Sequence, residues 1–199
     1  RVWNVNSTAT GGGVAEMLQS LVAYARGAGV DARWSVIDGE QDFFVLTKRI
    51  HHKLHGSPGD GGPLGAAERE VYERITRANA ERLATELNPG DVLLLHDPQT
   101  AGMVPVLAGR DVHLVWRSHI GIDEPNEHVR EAWEFLLPYL GEAEAFIFTR
   151  REYAPPELAG RDITLIPPSI DAFAQKNQSM TTEQVVAILA TAGILDAEA

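Results

Sequence analysis

The sequence predicts an α/β protein built on a doubly wound, mostly parallel sheet, and three observations carry that expectation. An apolar strand, Val2-Trp3-Asn4-Val5-Asn6, runs through Ser7-Thr8-Ala9-Thr10 into Gly11-Gly12-Gly13 and then straight into a helix whose apolar face is Val14, Leu18, Leu21 and Val22. Strand-like and helix-like runs alternate along the chain, as they do where parallel strands are joined by right-handed crossovers. Later strands such as 92–95, Val-Leu-Leu-Leu, are short and wholly apolar, the pattern of strands covered on both faces.

The elements follow in order. The helix over 14–28 is closed by Gly29, as a glycine just past a helix end should do. Residues 32–37 form the second strand. Phe43, Leu46, Ile50 and Leu54 lie near helical spacing and predict a helix over 43–54. Residues 56–62 hold four glycines, a proline, a serine and an aspartate, the composition of a mobile loop. A long charged helix spans 66–87 and is ended by Asn88-Pro89-Gly90. Strand 92–95 leads to a short helix near 101–107 and then to strand 112–117. Residues 127–140 read as a helix, with Pro138 distorting its last turn. Strands over 145–149 and 163–166 complete a sheet of about six or seven strands. After a polar stretch, Thr181 and Gln184 have capping-box spacing at the start of a last amphipathic helix that shows Val185, Ile188 and Leu189. The organisation expected is therefore one domain over 1–171 and a polar linker with a short helix over 172–199.

Composition bounds the function. The 199 residues suffice for one large domain with a real core, and 44% hydrophobic and 23% charged residues are ordinary for a globular protein. No run approaches the roughly 18 apolar residues of a membrane span, and no signal-peptide pattern opens the chain. There is no cysteine, so disulfides and thiolate sites are out, and a reducing cytoplasm suits the chain. A net charge of −11 argues against nucleic acid and anionic membranes as partners. The chain begins with Arg already inside a strand, which reads as an excised piece.

In a doubly wound sheet ligands sit outside the carboxyl ends of the strands. The triglycine turn lies there. Its backbone can take positive φ and let a ligand approach, and the following helix directs free N–H groups and the positive end of its dipole at the same spot. That suits a phosphate or the polar face of a sugar. The turn lacks the Lys-Ser/Thr of a P-loop and the full dinucleotide fingerprint, and Glu16 suits the dipole of the first helical turn. A second strand ends in His96-Asp97-Pro98-Gln99. The Asp97 carboxylate either accepts hydrogen bonds from sugar hydroxyls or caps the helix that follows; the sequence leaves both open. A third strand ends in Trp116-Arg117-Ser118-His119, where a neutral imidazole could bond a hydroxyl or steady charge at a reacting carbon. His51, His52 and His55 read as a solvated helix end rather than a metal site, and Arg150-Arg151 as a surface pair.

Several segments together carry a resemblance. They are Asn6-Ser7-Thr8 with Gly11-Gly12-Gly13-Val14-Ala15-Glu16, Arg33-Trp34 with Val36-Ile37, Phe43-Phe44 with Thr47-Lys48, His96-Asp97-Pro98-Gln99, Trp116-Arg117-Ser118-His119-Ile120, and Ile166-Pro167-Pro168-Ser169-Ile170-Asp171 with Lys176-Asn177. In this order they resemble trehalose synthases of the glycosyltransferring kind, retaining GT-B enzymes with two Rossmann-like domains.

The resemblance implies transfer of glucose from a nucleotide-diphosphate glucose to free glucose, giving α,α-trehalose, with no metal and no cofactor beyond these substrates. It implies that this chain is the acceptor-side domain, that the nucleotide-binding second domain of the same protein is missing, and that a homodimer is possible. Gly11, Gly12 and Gly13 would approach the donor phosphates and the incoming sugar. Asp97 and His119 would be catalytic, with Asp97, Arg117 and Asp123 on the acceptor side. Two alternatives stay open: the same architecture with another sugar or sugar-phosphate acceptor, and a non-catalytic sugar-binding or regulatory module.

Overall fold

The computed structural model describes residues 1–169 and 177–195. The chain divides into two compact units, Arg1–Pro168 and Ser169–Ala199. The expected boundary at 171/172 and the segment Ile170-Asp171 with Lys176 lie outside the described residues.

The first unit is the α/β sheet the sequence predicts. Six strands, β1 (Val2–Asn6), β2 (Ala32–Val36), β3 (Asp91–His96), β4 (Val112–Ser118), β5 (Ala145–Phe148) and β6 (Asp162–Leu165), form one sheet in the order β2-β1-β3-β4-β5-β6. Every neighbouring pair is parallel. Helix α1 (Gly13–Gly27) joins β1 to β2, and α2 (Gln41–Leu54) and α3 (Ala66–Ala84) lie between β2 and β3. A 3-10 turn (Pro98–Met103) runs into the short α4 (Val104–Leu107), and α5 (Glu127–Leu140) joins β4 to β5.

The chain steps outward from β1 to β2 and then crosses back over β1 to β3. Right-handed crossovers in opposite directions place their helices on opposite faces. The side chains follow. Trp3, Val5, Leu93, Leu95, Leu114, Trp116, Phe146 and Phe148 share one core cluster with the buried residues of α2, α3, α4 and α5. Helix α1 buries Ala15, Leu18 and Val22 outside that cluster, against β1 and β2. Strands alternate faces at every residue. Asn4, His96 and Arg117 therefore share the α1 face of the sheet, at or next to its carboxyl edge.

Several elements differ from expectation. Helix α3 ends at Ala84, three residues early, because Thr85 and Glu86 bond back to Arg82 and Leu83 in a closing turn. The helix expected near 101–107 starts as a tight 3-10 turn, with Pro98 in its first position and Pro105 in the first turn of α4. The glycine-rich segment 56–62 is a loop, as expected, in which Arg49 forks onto both oxygens of Asp60 at 2.6 and 2.9 Å and Asn126 Nδ2 donates to the Gly56 carbonyl.

In the second unit, α6 (Thr182–Thr191) opens with the expected capping box. Thr181 Oγ1 accepts from the Gln184 N–H at 3.3 Å, and Gln184 Oε1 accepts from the Thr181 N–H at 2.9 Å. Among the described residues no helix is long and apolar enough to cross a membrane.

Candidate functional site

The sheet reverses direction between β1 and β3, its topological switch point, and the carboxyl ends of the strands there are where such folds hold ligands. Val5 pairs with Leu95 and His96 with Arg117, so the segments leaving β1, β3 and β4 emerge side by side. They are the triglycine turn, Asp97-Pro98 and His119-Ile120.

The turn after β1 is shaped by its own polar groups: Asn6 Nδ2 donates to the Thr8 carbonyl at 2.8 Å, and Thr8 Oγ1 accepts from the Thr10 N–H at 3.2 Å. Gly11 has φ 74° and Gly12 φ 86°, the left-handed region that excludes most side chains. A methyl group at Gly11, Gly12 or Gly13 would meet nothing within 4 Å among the described residues. The glycines thus serve the backbone path and leave an open approach. No side chain caps α1, so its first N–H groups remain available to an incoming anion or hydroxyl.

Asp97 leaves β3 in a strained conformation, φ 63° and ψ 175°, the single positive φ outside glycine among the described residues. Its surroundings hold it there. The Asp97 N–H donates to the Arg117 carbonyl at 2.8 Å, Trp116 Nε1 and Thr100 Oγ1 donate to the Asp97 carbonyl, and Asp97 Oδ1 accepts from the His119 N–H at 2.8 Å. Backbone strain kept by so many ties makes this a candidate functional position. It also decides the alternative that the sequence left open: the Asp97 side chain makes no capping bond to the turn that follows, and is directed across to His119 instead.

His119 joins a second network. Its Nε2 lies 2.9 Å from Nδ1 of His96, and Nε2 of His96 lies 3.1 Å from Asn4 Oδ1. The two imidazoles lie with centroids 5.2 Å apart and an 18° interplanar angle. Sequence reasoning placed His96 at the ligand edge but gave it no role, and it passed over Asn4. The signal was present: a polar residue in the middle of Val2-Trp3-Asn4-Val5 must find a partner once the strand is buried.

Burial and charge set the protonation states. Burial pushes the Asp97 carboxyl up to about 7, against the opposing pull of the His119 N–H and the Arg117 guanidinium. Burial and then the Arg117 charge lower His119 to about 3, and burial, His119 and Arg117 hold His96 well below its ordinary value. Arg117 is itself buried and lowered for that reason, with the Asp97 charge opposing the shift. Its guanidinium makes no hydrogen bond or ion pair among the described residues, which leaves donors for a ligand. The site therefore offers a carboxyl whose proton is held more tightly than usual, a neutral imidazole and a guanidinium around an open glycine turn. That set bonds hydroxyls well and tolerates an anion beside Arg117.

Asp123 stands apart. It is exposed on the loop before α5, and its carboxylate is held by Arg150 at 2.8 Å, while Arg150 also reaches Glu152 at 3.7 Å. Among the described residues it makes no bond to Asp97, Arg117 or His119. The rings of His51, in the last turn of α2, and His55, just past its end, lie 4.8 Å apart, and burial lowers His51 to about 4.

The chain is similar to several known proteins. A family described as "Trehalose synthase, N-terminal domain" matches residues 4–155. The chain is 36% identical over 196 residues to a trehalose synthase of Rubrobacter xylanophilus, covering 98% of this chain and 46% of that protein. It is 38% identical over 186 residues to a trehalose synthase of Pyrococcus horikoshii, covering 94% and 43%. The chain thus spans less than half the length of these curated relatives. Among solved structures, an alpha,alpha-trehalose-phosphate synthase (UDP-forming) from Burkholderia xenovorans in complex with glucose-6-phosphate superposes with a TM-score of 0.60 at 17% identity, over 75% of this chain and 40% of that one. At that identity the likeness shows the fold.

Proposed function

This chain belongs to the family of trehalose synthase N-terminal domains, and on that premise we propose that it forms the acceptor-side wall of a retaining glycosyltransferase. The reaction is transfer of glucose from a nucleotide-diphosphate glucose to free glucose, giving α,α-trehalose and the nucleoside diphosphate, with no metal. The observation that carries the reading is the direct bond from the His119 N–H to Asp97 Oδ1 beside the uncapped triglycine turn, all at the switch point of the sheet.

Each residue has a part in it. Asp97 accepts hydroxyl protons from a bound glucose. His119 bonds a hydroxyl of the transferred sugar and lies where charge develops in an oxocarbenium-like transition state. Gly11, Gly12 and Gly13 leave room for the donor phosphates at the α1 N-terminus. Arg117 supports the acceptor side. Leaving-group stabilisation needs groups from the remainder of a longer protein, since the curated relatives are more than twice this length. The protein acts in the cytoplasm, and a homodimer is compatible with its role.

Calorimetric titration with glucose and with trehalose tests the reading. Heat that saturates in the millimolar range, and is weakened in Asp97→Asn and lost in His119→Ala, supports it. No heat with either sugar, while a protein of the relatives' full length binds them, refutes an autonomous acceptor site. The unpaired Arg117 guanidinium favours one second reading, an acceptor bearing a phosphate. Glucose 6-phosphate binding that exceeds glucose binding and falls in Arg117→Ala would select it.

A further inference from the structure

We propose that His96 is a positioning residue: through its link to Asn4 it fixes His119 as the Nε2–H tautomer, so that His119 presents a bare Nδ1 to the sugar as a hydrogen-bond acceptor. The sugar clause rests on the function proposed above; the tautomer clause stands on geometry alone.

The chain of bonds has a direction. Asn4 Oδ1 carries no hydrogen, so the 3.1 Å contact requires His96 Nε2 to donate. A neutral imidazole has one N–H, so His96 Nδ1 is then bare and can only accept. The atom facing it at 2.9 Å is His119 Nε2, which must donate. His119 in turn has spent its one N–H, and its Nδ1 is bare. Among the described residues nothing bonds that nitrogen.

Neutrality of both rings is what makes the relay directional, and the surroundings provide it. His96 is 1% exposed, and Arg117 is the charged group directed at both rings. The nearest carboxylate, Asp97, gives Oδ1 to the His119 backbone N–H and bonds neither ring. The rings lie within 18° of coplanar, so the 2.9 Å contact between their facing nitrogens runs nearly in the plane of both rings. Asn4 comes from β1, His96 from β3 and His119 from just past β4, so three adjacent strands set one proton's place.

The chemistry follows. A bare nitrogen accepts from a hydroxyl and repels a phosphate or carboxylate oxygen. At this point of the cleft the site selects a neutral sugar hydroxyl, and any phosphate on the acceptor must lie on the Arg117 side.

The test is long-range proton–nitrogen NMR on this chain with 15N-labelled histidine near neutral pH, without ligand, using His119→Gln to assign the His119 peaks. The expected spectrum shows imine-type Nδ1 and pyrrole-type Nε2 for both His96 and His119, without averaging. A protonated Nδ1 on His119, or one averaged signal for its two nitrogens, overturns the proposal. Two substitutions probe the cause. His96→Gln offers a carbonyl to His119 and an N–H to Asn4, so it keeps the tautomer. His96→Leu removes the acceptor, so His119 should average between tautomers and glucose affinity should fall about twofold, the share of rings that then carry the wrong tautomer. An unchanged His119 signal in His96→Leu also overturns the proposal. The expected tautomer in a chain that binds no glucose would refute the sugar reading and leave the relay standing.

Discussion

Asp97 holds a carboxyl on a backbone conformation that suits glycine, and the two properties separate by substitution. Asp97→Ala keeps the strain and removes the acceptor for the His119 N–H, so unfolding free energy should drop by about 1–3 kcal/mol. Asp97→Gly loses the same acceptor but relaxes φ, so it should be more stable than Asp97→Ala by roughly 1 kcal/mol, measured by denaturant melts. Equal stability of the two would mean the positive φ is unstrained. The raised carboxyl also has a pH signature. Because its folded value, about 7, lies above the unfolded 3.8, the native state keeps a proton that the unfolded state releases. This group's contribution is fully present below the unfolded value and is lost as pH rises through 7. His119, lowered to about 3, acts in the opposite sense: its contribution is present above 6.5 and lost as pH falls through 3. Asp97→Asn should therefore gain more stability than the parent between about pH 4 and pH 7. If the ionised carboxylate is the form that accepts sugar hydroxyls, glucose affinity should rise from about pH 6 to pH 8 in the parent and stay flat in Asp97→Asn.

At this scale the sequence was half legible. His96-Asp97 and His119 could be placed at the carboxyl edge because an apolar strand precedes each pair of polar residues. The bond between Asp97 and His119 could not, because its partners are 22 residues apart and meet through the β3–β4 register. Asp97 before a proline also has the look of a helix cap, and nothing in the local sequence shows that its backbone turns the carboxyl away. Asp123 reads like a site residue by proximity to His119, yet its partner Arg150 lies 27 positions on, beyond β5.

Among the elements, the 3-10 turn after Asp97 is the part on which site geometry depends. Tyr72, from the middle of α3, is fully buried and bonds that turn twice: its hydroxyl donates to the Pro98 carbonyl and accepts from the Gly102 N–H at 3.0 Å. Burial raises its ionisation above the ordinary range, so it stays a neutral phenol. Tyr72→Phe leaves two buried backbone groups unpaired and should cost about 1–3 kcal/mol by thermal or chemical melts, with weaker glucose binding because the turn anchors Asp97. Gly102 makes the same contact close: an added methyl would lie 2.4 Å from Thr76 Oγ1 and 2.7 Å from the Tyr72 ring, so Gly102→Ala should cost about 1–3 kcal/mol by overpacking. Gly12→Ala differs in kind. It meets no neighbour, and its cost of about 1–2 kcal/mol comes from φ alone. The helices and strands themselves were legible from apolar spacing. The 3-10 character of 98–103 was not, because it is imposed by Tyr72 and Thr76 across the core, and the closing turn after Ala84 arises from local backbone bonds within a continuous charged pattern.

For the whole molecule, the parallel sheet and its ligand-bearing carboxyl edge were readable from strand–helix alternation, whereas the switch point between β1 and β3, which determines which loops meet, follows from a strand order that alternation does not give. The second unit's internal capping was equally plain from Thr181 and Gln184. The complete active cleft was not, because the curated relatives are more than twice as long as this chain. This chain alone should therefore show no measurable glucose transfer from a nucleotide-diphosphate glucose, while a protein of the relatives' length transfers it; turnover by the 199 residues alone would mean one wall suffices. The central claim is narrower and more direct to test: Gly11–13, Asp97 and His119 hold one hexose at a common rim. A two-dimensional proton–nitrogen NMR titration of the backbone amides with glucose decides it. The expected result is saturable shifts concentrated at Gly11, Gly12, Gly13, Asp97 and His119; shifts confined to other surfaces, or none up to saturating sugar, would contradict it.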